Sequence, residues 1–91
     1  MPGLEGEHQQ IAALGSLVAV ASRRVAEGGC VVGLWDAPAG REARPVALFR
    51  LHGARRARVR AERGLFVACD DAGRVISYDV EAGALAHNVR L

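Results

Sequence analysis

Apolar residues along this chain come in short runs or in strict alternation, and both patterns are typical of β-strands. The runs LVAVAS (17–22) and LFVAC (65–69) are rich in valine and alanine and are too short for helices. In ARVRA (57–61), apolar residues alternate with arginine, which is the period of a strand with one buried face. The surrounding segment 54–64 consists of good helix formers, but this period of two favours a strand over an isolated basic helix.

Turn-forming residues separate the apolar runs. DDAG (70–73) predicts a tight turn between two strands, and APAG (37–40) and EAG (81–83) predict turns at corresponding points of the two halves of the chain. The expected strands are 9–14, 17–22, the run that ends at Trp35-Asp36, 45–51, 57–61, 65–69, 74–79 and 84–91. The sequence therefore predicts an all-β protein with four strands in each half.

The two halves repeat one pattern. VVGLWDAPAG recurs as VISYDVEAG, with corresponding residues 43 positions apart. The aligned pairs are Trp35 with Tyr78, Asp36 with Asp79, and Gly40 with Gly83. Upstream, LVAVAS (17–22) aligns with GLFVAC (64–69), with a hairpin that is four residues longer in the first copy. A strand-only repeat of this length predicts the four-stranded blade of a β-propeller.

These motifs resemble the WD-repeat family of β-propellers. In that family an apolar third strand ends in Trp-Asp and a glycine-containing turn follows, as at Trp35-Asp36; Tyr78 replaces the tryptophan in the second copy. Leu51-His52-Gly53 stands where the family has its Gly-His pair, here in inverted order. The resemblance implies two four-stranded antiparallel blades, arranged as an N-terminal extension (1–8), a first WD-like repeat (9–51) and a second WD-like repeat (52–91).

The resemblance also implies structural roles for individual residues. The family's hydrogen-bond network links the histidine, a strand serine or threonine, the hairpin aspartate and the tryptophan. The matching residues here are Trp35, Asp36, His52, Asp71, Tyr78 and Asp79. In the second copy Cys69 or Ala68 replaces the hydroxyl residue, and the first copy keeps Ser22 but has no hairpin aspartate. We therefore expect degenerate blades.

The length of the chain limits the number of blades. A propeller closes with about four to eight blades, because each sheet buries its faces only against its neighbours. With 91 residues the chain has room for two repeats. Two blades leave a sheet face uncovered at each end, so we expect an incomplete propeller that belongs to a longer one or associates with copies of itself.

Basic residues are concentrated around the join between the copies. All 12 basic residues are arginine, and 8 of them lie within 41–63 beside only two glutamates, a charge of +6 against +2 for the whole chain. The densest part consists of Arg55, Arg56, Arg58, Arg60 and Arg63. Such a cluster is either a solvated strand edge or a binding site for an acidic or phosphorylated peptide. Nucleic acid is disfavoured, because no exposed aromatic residues interleave with the arginines to stack on bases.

Other chemistry finds little support in the sequence. A hydrophobic content of 51% with 24% charged residues is that of a globular protein and excludes a disordered tail. Histidines are scattered, and no nucleophile–histidine set or phosphate-binding loop is present, so we expect no catalytic residues, cofactor or metal. Cys30 and Cys69 are too few for a disulfide framework and are predicted to be small apolar strand residues.

One segment imitates a targeting sequence. Residues 11–22 have the length of a signal-peptide core and end in a motif that resembles a cleavage site, but Glu5 and Glu7 precede them and no positive charge does. No apolar run reaches the roughly 18–20 residues of a membrane span. We therefore expect no membrane association and a location in the cytoplasm or nucleus.

The function that the resemblance implies is a non-catalytic protein-interaction scaffold within a larger complex, for example in substrate recognition by a ubiquitin-ligase-type complex. Two alternatives stay open. The arginine cluster 55–63 could make the chain an anion- or nucleic-acid-binding module, or the chain could be a truncated propeller product with no autonomous function.

Overall fold

Eight β-strands form the regular structure of residues 7–24 and 28–90, the part of the chain that the computed structural model describes. The strands are β1 (Glu7–Leu14), β2 (Leu17–Arg24), β3 (Gly29–Asp36), β4 (Arg44–Leu51), β5 (Ala57–Glu62), β6 (Leu65–Asp70), β7 (Arg74–Asp79) and β8 (Ala84–Arg90). The all-β prediction is confirmed, and the arginine-rich stretch 57–62 is a strand rather than a helix. β1 begins two residues before its predicted start at 9, and residues 1–6 of the predicted extension lie outside the described residues.

The strands form two open antiparallel sheets. The first has the order β1-β2-β3-β4 and the second the order β5-β6-β7-β8, so every strand is hydrogen-bonded to its neighbour in sequence. Hairpins therefore make all the connections within a sheet, and the connection from β4 to β5 joins the two sheets. This is the predicted pair of four-stranded blades, and the open arrangement is consistent with an incomplete propeller.

The repeat found in the sequence is also a repeat in geometry. Gly40 and Gly83, which are aligned by the repeat, both have a positive φ, +73° and +67°, a conformation that favours glycine. A β-bulge interrupts the pairing between Leu34 and Trp35 in the first sheet and between Ser77 and Tyr78 in the second, again at corresponding positions. Shared bulges are specific features of a sheet, so the two sheets have the same construction.

The alignment of the second strands was wrong by one residue. Leu17 pairs with Asp36 and Leu65 pairs with Asp79, so Leu17 corresponds to Leu65 at a spacing of 48. The third strands are 43 apart, and the hairpin is therefore five residues longer in the first sheet, not four. Because side chains alternate between the faces of a sheet, a shift of one residue exchanges the buried and exposed sets.

The two sheets pack face to face, and we call the two faces in contact the contact faces. The buried residues between the sheets are Ala19, Ala21, Cys30, Val32, Leu34, Leu51, Ala54, Ala57, Val59, Phe66, Ala68, Ile76 and Tyr78. The rings of Phe49 and Tyr78 meet across the interface with centroids 6.3 Å apart. Many of these side chains are alanine, so the main hydrophobic core depends on close approach of the two backbones.

The first strands of the two sheets are joined by a polar contact. β5 lies against β1, β2 and β3, and the backbone N–H of Val59 donates a hydrogen bond to Oε1 of Gln10, at 2.8 Å. The Gln10 side chain thus satisfies a donor on the edge of the neighbouring sheet, which fixes the position of β5 along β1.

Each sheet also has an outer face, which points away from the other sheet. Trp35 lies on the outer face of the first sheet with Val18, Val20 and Val31, whereas its counterpart Tyr78 lies on the contact face of the second. The same side of each repeat therefore points in the same direction. The sheets are stacked as successive repeats, and the outer face of each sheet corresponds to the contact face of the other.

The sequence predicts an uncovered outer face on the first sheet, but the centre of this face is buried. Val20, Val31 and Trp35 are only 1–2% exposed. The rim of this face does remain open, with Ile11 67%, Val46 44% and Leu48 41% exposed.

Replacement of Trp35 tests the packing of this face. Trp35→Ala should lower the free energy of unfolding by about 3–5 kcal/mol, because it removes a large buried side chain and leaves a cavity. Trp35→Phe should cost less, since the indole Nε1 is buried without a hydrogen-bond partner among the described residues. Urea unfolding followed by circular dichroism measures both changes. Val46→Ala, on the exposed rim, is the control, and equal losses for Val46→Ala and Trp35→Ala would contradict the packing.

Candidate functional site

The arginine cluster lies where the chain enters the second sheet. Arg55 and Arg56 precede β5, Arg58 and Arg60 belong to it, and Arg63 lies in the following turn; all five are exposed. Along β5 the arginines alternate with Ala57 and Val59, which are buried between the sheets. Burial of the apolar residues therefore directs Arg58 and Arg60 to the opposite side of the sheet, as the alternation predicts.

This side is the outer face of the second sheet, which we call the basic face. Strand pairing places its residues in two rows that cross the four strands. The rows are Arg58, Cys69, Val75 and Val89, and Arg60, Val67, Ser77 and His87. Val67 and Val75 are partly buried and Val89 is 49% exposed. The basic face thus has a cationic border along β5 and an apolar area beside it.

The positive charges of this border are not neutralised within the described part of the chain. There, the guanidinium groups of Arg56, Arg58 and Arg60 form no ion pair or hydrogen bond. Residues two apart in a strand are separated by about 6.6–6.8 Å, so Arg58 and Arg60 repel each other and favour an anionic group between or above them.

Two aspartates, one at the end of β6 and one in the turn that follows, shape this region through backbone hydrogen bonds. Oδ1 of Asp71 accepts hydrogen bonds from the backbone N–H groups of Arg55 and Arg56, at 2.9 and 3.3 Å. These bonds favour the carboxylate and lower the pKa of Asp71. Oδ1 of Asp70 accepts hydrogen bonds from Ala72 and Arg74 in its own turn, at 2.9 and 2.8 Å. Asp71 therefore fastens the start of the arginine cluster to the second sheet.

A groove opens between the turn and the cluster. It has a volume of about 280 Å³ and is lined by Arg56, Arg58, Cys69, Asp70 and Asp71. Sites for small ligands are commonly enclosed clefts of about 300–1,000 Å³. A smaller groove that is open to solvent suits a single side chain of a partner better than a cofactor.

The residues that match the WD motif are distributed over separate local contacts. Oδ1 of Asp36 accepts a hydrogen bond from the Ser16 hydroxyl at 2.8 Å, and Oδ1 of Asp79 accepts hydrogen bonds from the backbone of residues 81 and 82 at 3.0 and 3.1 Å. His52 is exposed, and its ring makes no hydrogen bond to any residue that the structure describes. Trp35 and Tyr78 are buried on the corresponding sides of their sheets.

The structure does not bring His52, Asp71 and Tyr78 into one network. The hairpin aspartate still joins the turn to the connection between the sheets, but its donors are the backbone N–H groups of Arg55 and Arg56 rather than the His52 ring. A backbone donor is present whatever the side chain, so this contact does not depend on the residue types at positions 55 and 56.

Both cysteines are free thiols in strands but differ in environment. Cys30 is buried, and its thiol donates a hydrogen bond to the carbonyl oxygen of Ala54 at 3.5 Å. Burial, with the charge of Asp71 as a second cause, raises the pKa of the Cys30 thiol. Cys69 is exposed on the basic face, opposite Arg58.

Sequence reasoning missed two polar contacts. One is the bond from Val59 to Gln10, which joins the sheets. The other is the pair formed by the Ser77 hydroxyl and His87 Nδ1, 3.0 Å apart on the basic face, where the first sheet has Leu34 and Ala47. A comparison of the copies at the correct register would have found the second, because a buried serine replaces a leucine.

Comparison with models of protein families, with curated proteins and with solved structures finds no match for this chain. Within residues 7–24 and 28–90, no group of three histidine, cysteine, aspartate or glutamate side chains is placed to hold a metal ion. No helix long and apolar enough to cross a membrane occurs in these residues.

The pH dependence of stability tests the Asp71 contact. A lowered pKa means that the ionised carboxylate stabilises the folded state above the ordinary value of 3.8 and that this contribution is lost as the pH falls through the folded-state pKa. Asp71→Asn should therefore be less stable than the wild type at neutral pH, and the difference should shrink on acidification. Urea unfolding between pH 7 and pH 2 measures it. Asp36→Asn controls for the loss of one charge, and a difference that does not vary with pH would contradict the contact.

Proposed function

We propose that this chain is a non-catalytic protein-interaction scaffold built from two WD-like repeats. The observation that carries the proposal is the correspondence between the outer and contact faces. The outer faces are the same sides of the repeat through which the two sheets already pack on each other, and they expose apolar side chains such as Leu48 and Val89. Exposed apolar surface with a polar border is characteristic of protein–protein contact sites.

The shape of the surface also favours a protein partner. The outer faces are sides of β-sheets, and the groove beside the arginine cluster is small and open. Such surfaces bind by area and by complementary side chains rather than by enclosing a ligand. A role in the cytoplasm or nucleus within a larger complex belongs to this proposal, and substrate recognition in a ubiquitin-ligase-type complex rests on the family resemblance alone.

The second candidate function is an anion-binding module. It is favoured by the guanidinium groups of Arg56, Arg58 and Arg60, which form no ion pair or hydrogen bond with any residue that the structure describes. Nucleic acid is the weaker form of this candidate, because Trp35, Phe66 and Tyr78 are buried and cannot stack on bases.

Site-specific photocrosslinking tests the scaffold. A benzophenone amino acid at Leu48 or Val89, one on each outer face, should give discrete covalent adducts with other proteins in cells that make the chain. Ala39 and Glu81, exposed in turns, are matched control positions that should give few.

Four results would contradict the proposal. Adducts of equal yield from all four positions would indicate random collision, and no adducts at all would indicate unused faces. Adducts only between copies of the chain would identify a self-assembling subunit instead. An aggregated or unfolded purified chain, tested by sedimentation and circular dichroism, would favour a truncated propeller product.

A further inference from the structure

We propose that the basic face binds an acidic segment of a partner protein, with Arg58 and Arg60 pairing with its carboxylates. This inference rests on the scaffold role and specifies the partner for one of the two outer faces. It follows from a comparison that the repeat makes possible, because the basic face corresponds residue by residue to the contact face of the first sheet.

The contact face of the first sheet is covered, so it shows which residues this repeat carries on a covered face. At the correct register its residues correspond to those of the basic face as follows: Gln10 to Arg58, Ala12 to Arg60, Ala19 to Val67, Ala21 to Cys69, Val32 to Val75, Leu34 to Ser77, Ala47 to His87 and Phe49 to Val89. The half nearest β6 and β7 stays largely apolar. The border along β5 changes from an alanine and a glutamine to two arginines.

The change at Gln10 reverses the polarity of a specific contact. Gln10 accepts a hydrogen bond from the backbone N–H of Val59 in the neighbouring sheet. A guanidinium group has five N–H donors and no acceptor, so Arg58 at the corresponding position cannot accept such a bond. Whatever covers the basic face must therefore offer oxygen acceptors where the neighbouring sheet offers a donor.

A second copy of this chain does not meet that requirement. If a second copy packed on this chain as the two sheets pack on each other, the outer face of its first sheet would cover the basic face. Among residues with described side chains, that outer face carries no acidic residue, and Arg50 lies on it opposite Val31. Association of two copies would bury Arg58 and Arg60 with no counterion from the described part of that face, so the lost hydration of the two charges would not be compensated.

An acidic segment satisfies both parts of the basic face. Acidic residues two apart in an extended chain are about 6.6–6.8 Å apart, the same spacing as Arg58 and Arg60. Carboxylate oxygens accept charge-assisted hydrogen bonds from guanidinium groups, often in pairs. Adjoining apolar side chains of the segment would cover Val67 and Val75, as the second sheet covers their counterparts Ala19 and Val32.

The probe is a fluorescein-labelled peptide of 12 residues in which Glu-Ser-Glu precedes a run of valine and serine, compared with the same peptide carrying Gln-Ser-Gln. The glutamate peptide should bind more tightly, and the double variant Arg58→Ser/Arg60→Ser should weaken binding roughly tenfold. Arg41→Ser/Arg44→Ser removes the same charge from exposed arginines outside the basic face and is the matched control. Both pairs are exposed, so circular dichroism should show intact folding.

A second readout locates the bound peptide. Cys69 lies on the basic face, whereas Cys30 is buried between the sheets. Bound glutamate peptide should slow the alkylation of Cys69 by iodoacetamide and leave the slow reaction of Cys30 unchanged.

Several results would overturn the inference. These are equal binding of the glutamine peptide, equal losses in the two double variants, or no protection of Cys69. A single-stranded oligonucleotide that binds more tightly than the peptide, with the same dependence on Arg58 and Arg60, would assign the face to nucleic acid instead. If crosslinking from Val89 persists in Arg58→Ser/Arg60→Ser, the scaffold role stands and the acidic partner does not. If crosslinking is absent from both Leu48 and Val89 in the wild type, the scaffold role itself fails.

Discussion

A β-sheet has two faces, and two stacked sheets can cover only two of their four faces. This constraint governs the molecule. The covered pair forms the main hydrophobic core, in which alanines such as Ala19, Ala57 and Ala68 let the sheets approach closely. The other pair of faces differs between the two ends of the stack. At one end the centre around Trp35 is buried and only a rim is exposed, and at the other end charge and hydroxyl groups replace apolar residues.

The internal repeat allows the outer face of the second sheet to be compared, residue by residue, with a covered face. Because the outer face of the second sheet corresponds to the contact face of the first, each outer residue has a counterpart in a working interface. Where both are apolar, as at Val75 and Val32, the face keeps the ability to be covered. Where Arg60 stands for Ala12, covering by another sheet of the same kind becomes costly, because a buried unpaired charge loses its hydration. A partner of opposite charge would therefore suit this face better than a second copy of this chain would.

Much of this architecture could be predicted from the sequence, and the exceptions are contacts that the residue types do not mark. Short apolar runs and glycine turns specify strands through local preferences, so all eight strands and the 43-residue repeat were accessible. The pairing of Leu17 with Asp36 was not, because four of the five extra residues of the hairpin extend its strands rather than its loop, which the sequence does not mark. The contact of Asp71 with the backbone at Arg55 and Arg56 was also inaccessible in detail. A backbone N–H donor does not depend on the residue type, so the sequence does not mark it, whereas a histidine donor would be visible in the sequence.

The register of β5 links the core to the candidate site. Its alternation allows only two arrangements: Val59 inside with Arg58 and Arg60 outside, or the reverse. The reverse would place two guanidinium groups in an apolar interface, a cost comparable with the whole stability of a small domain. Asp71 reinforces the observed choice, because its bonds to the backbone at Arg55 and Arg56 fix the chain just before the strand begins. The direction of the arginines is therefore imposed by the same packing that holds the sheets together.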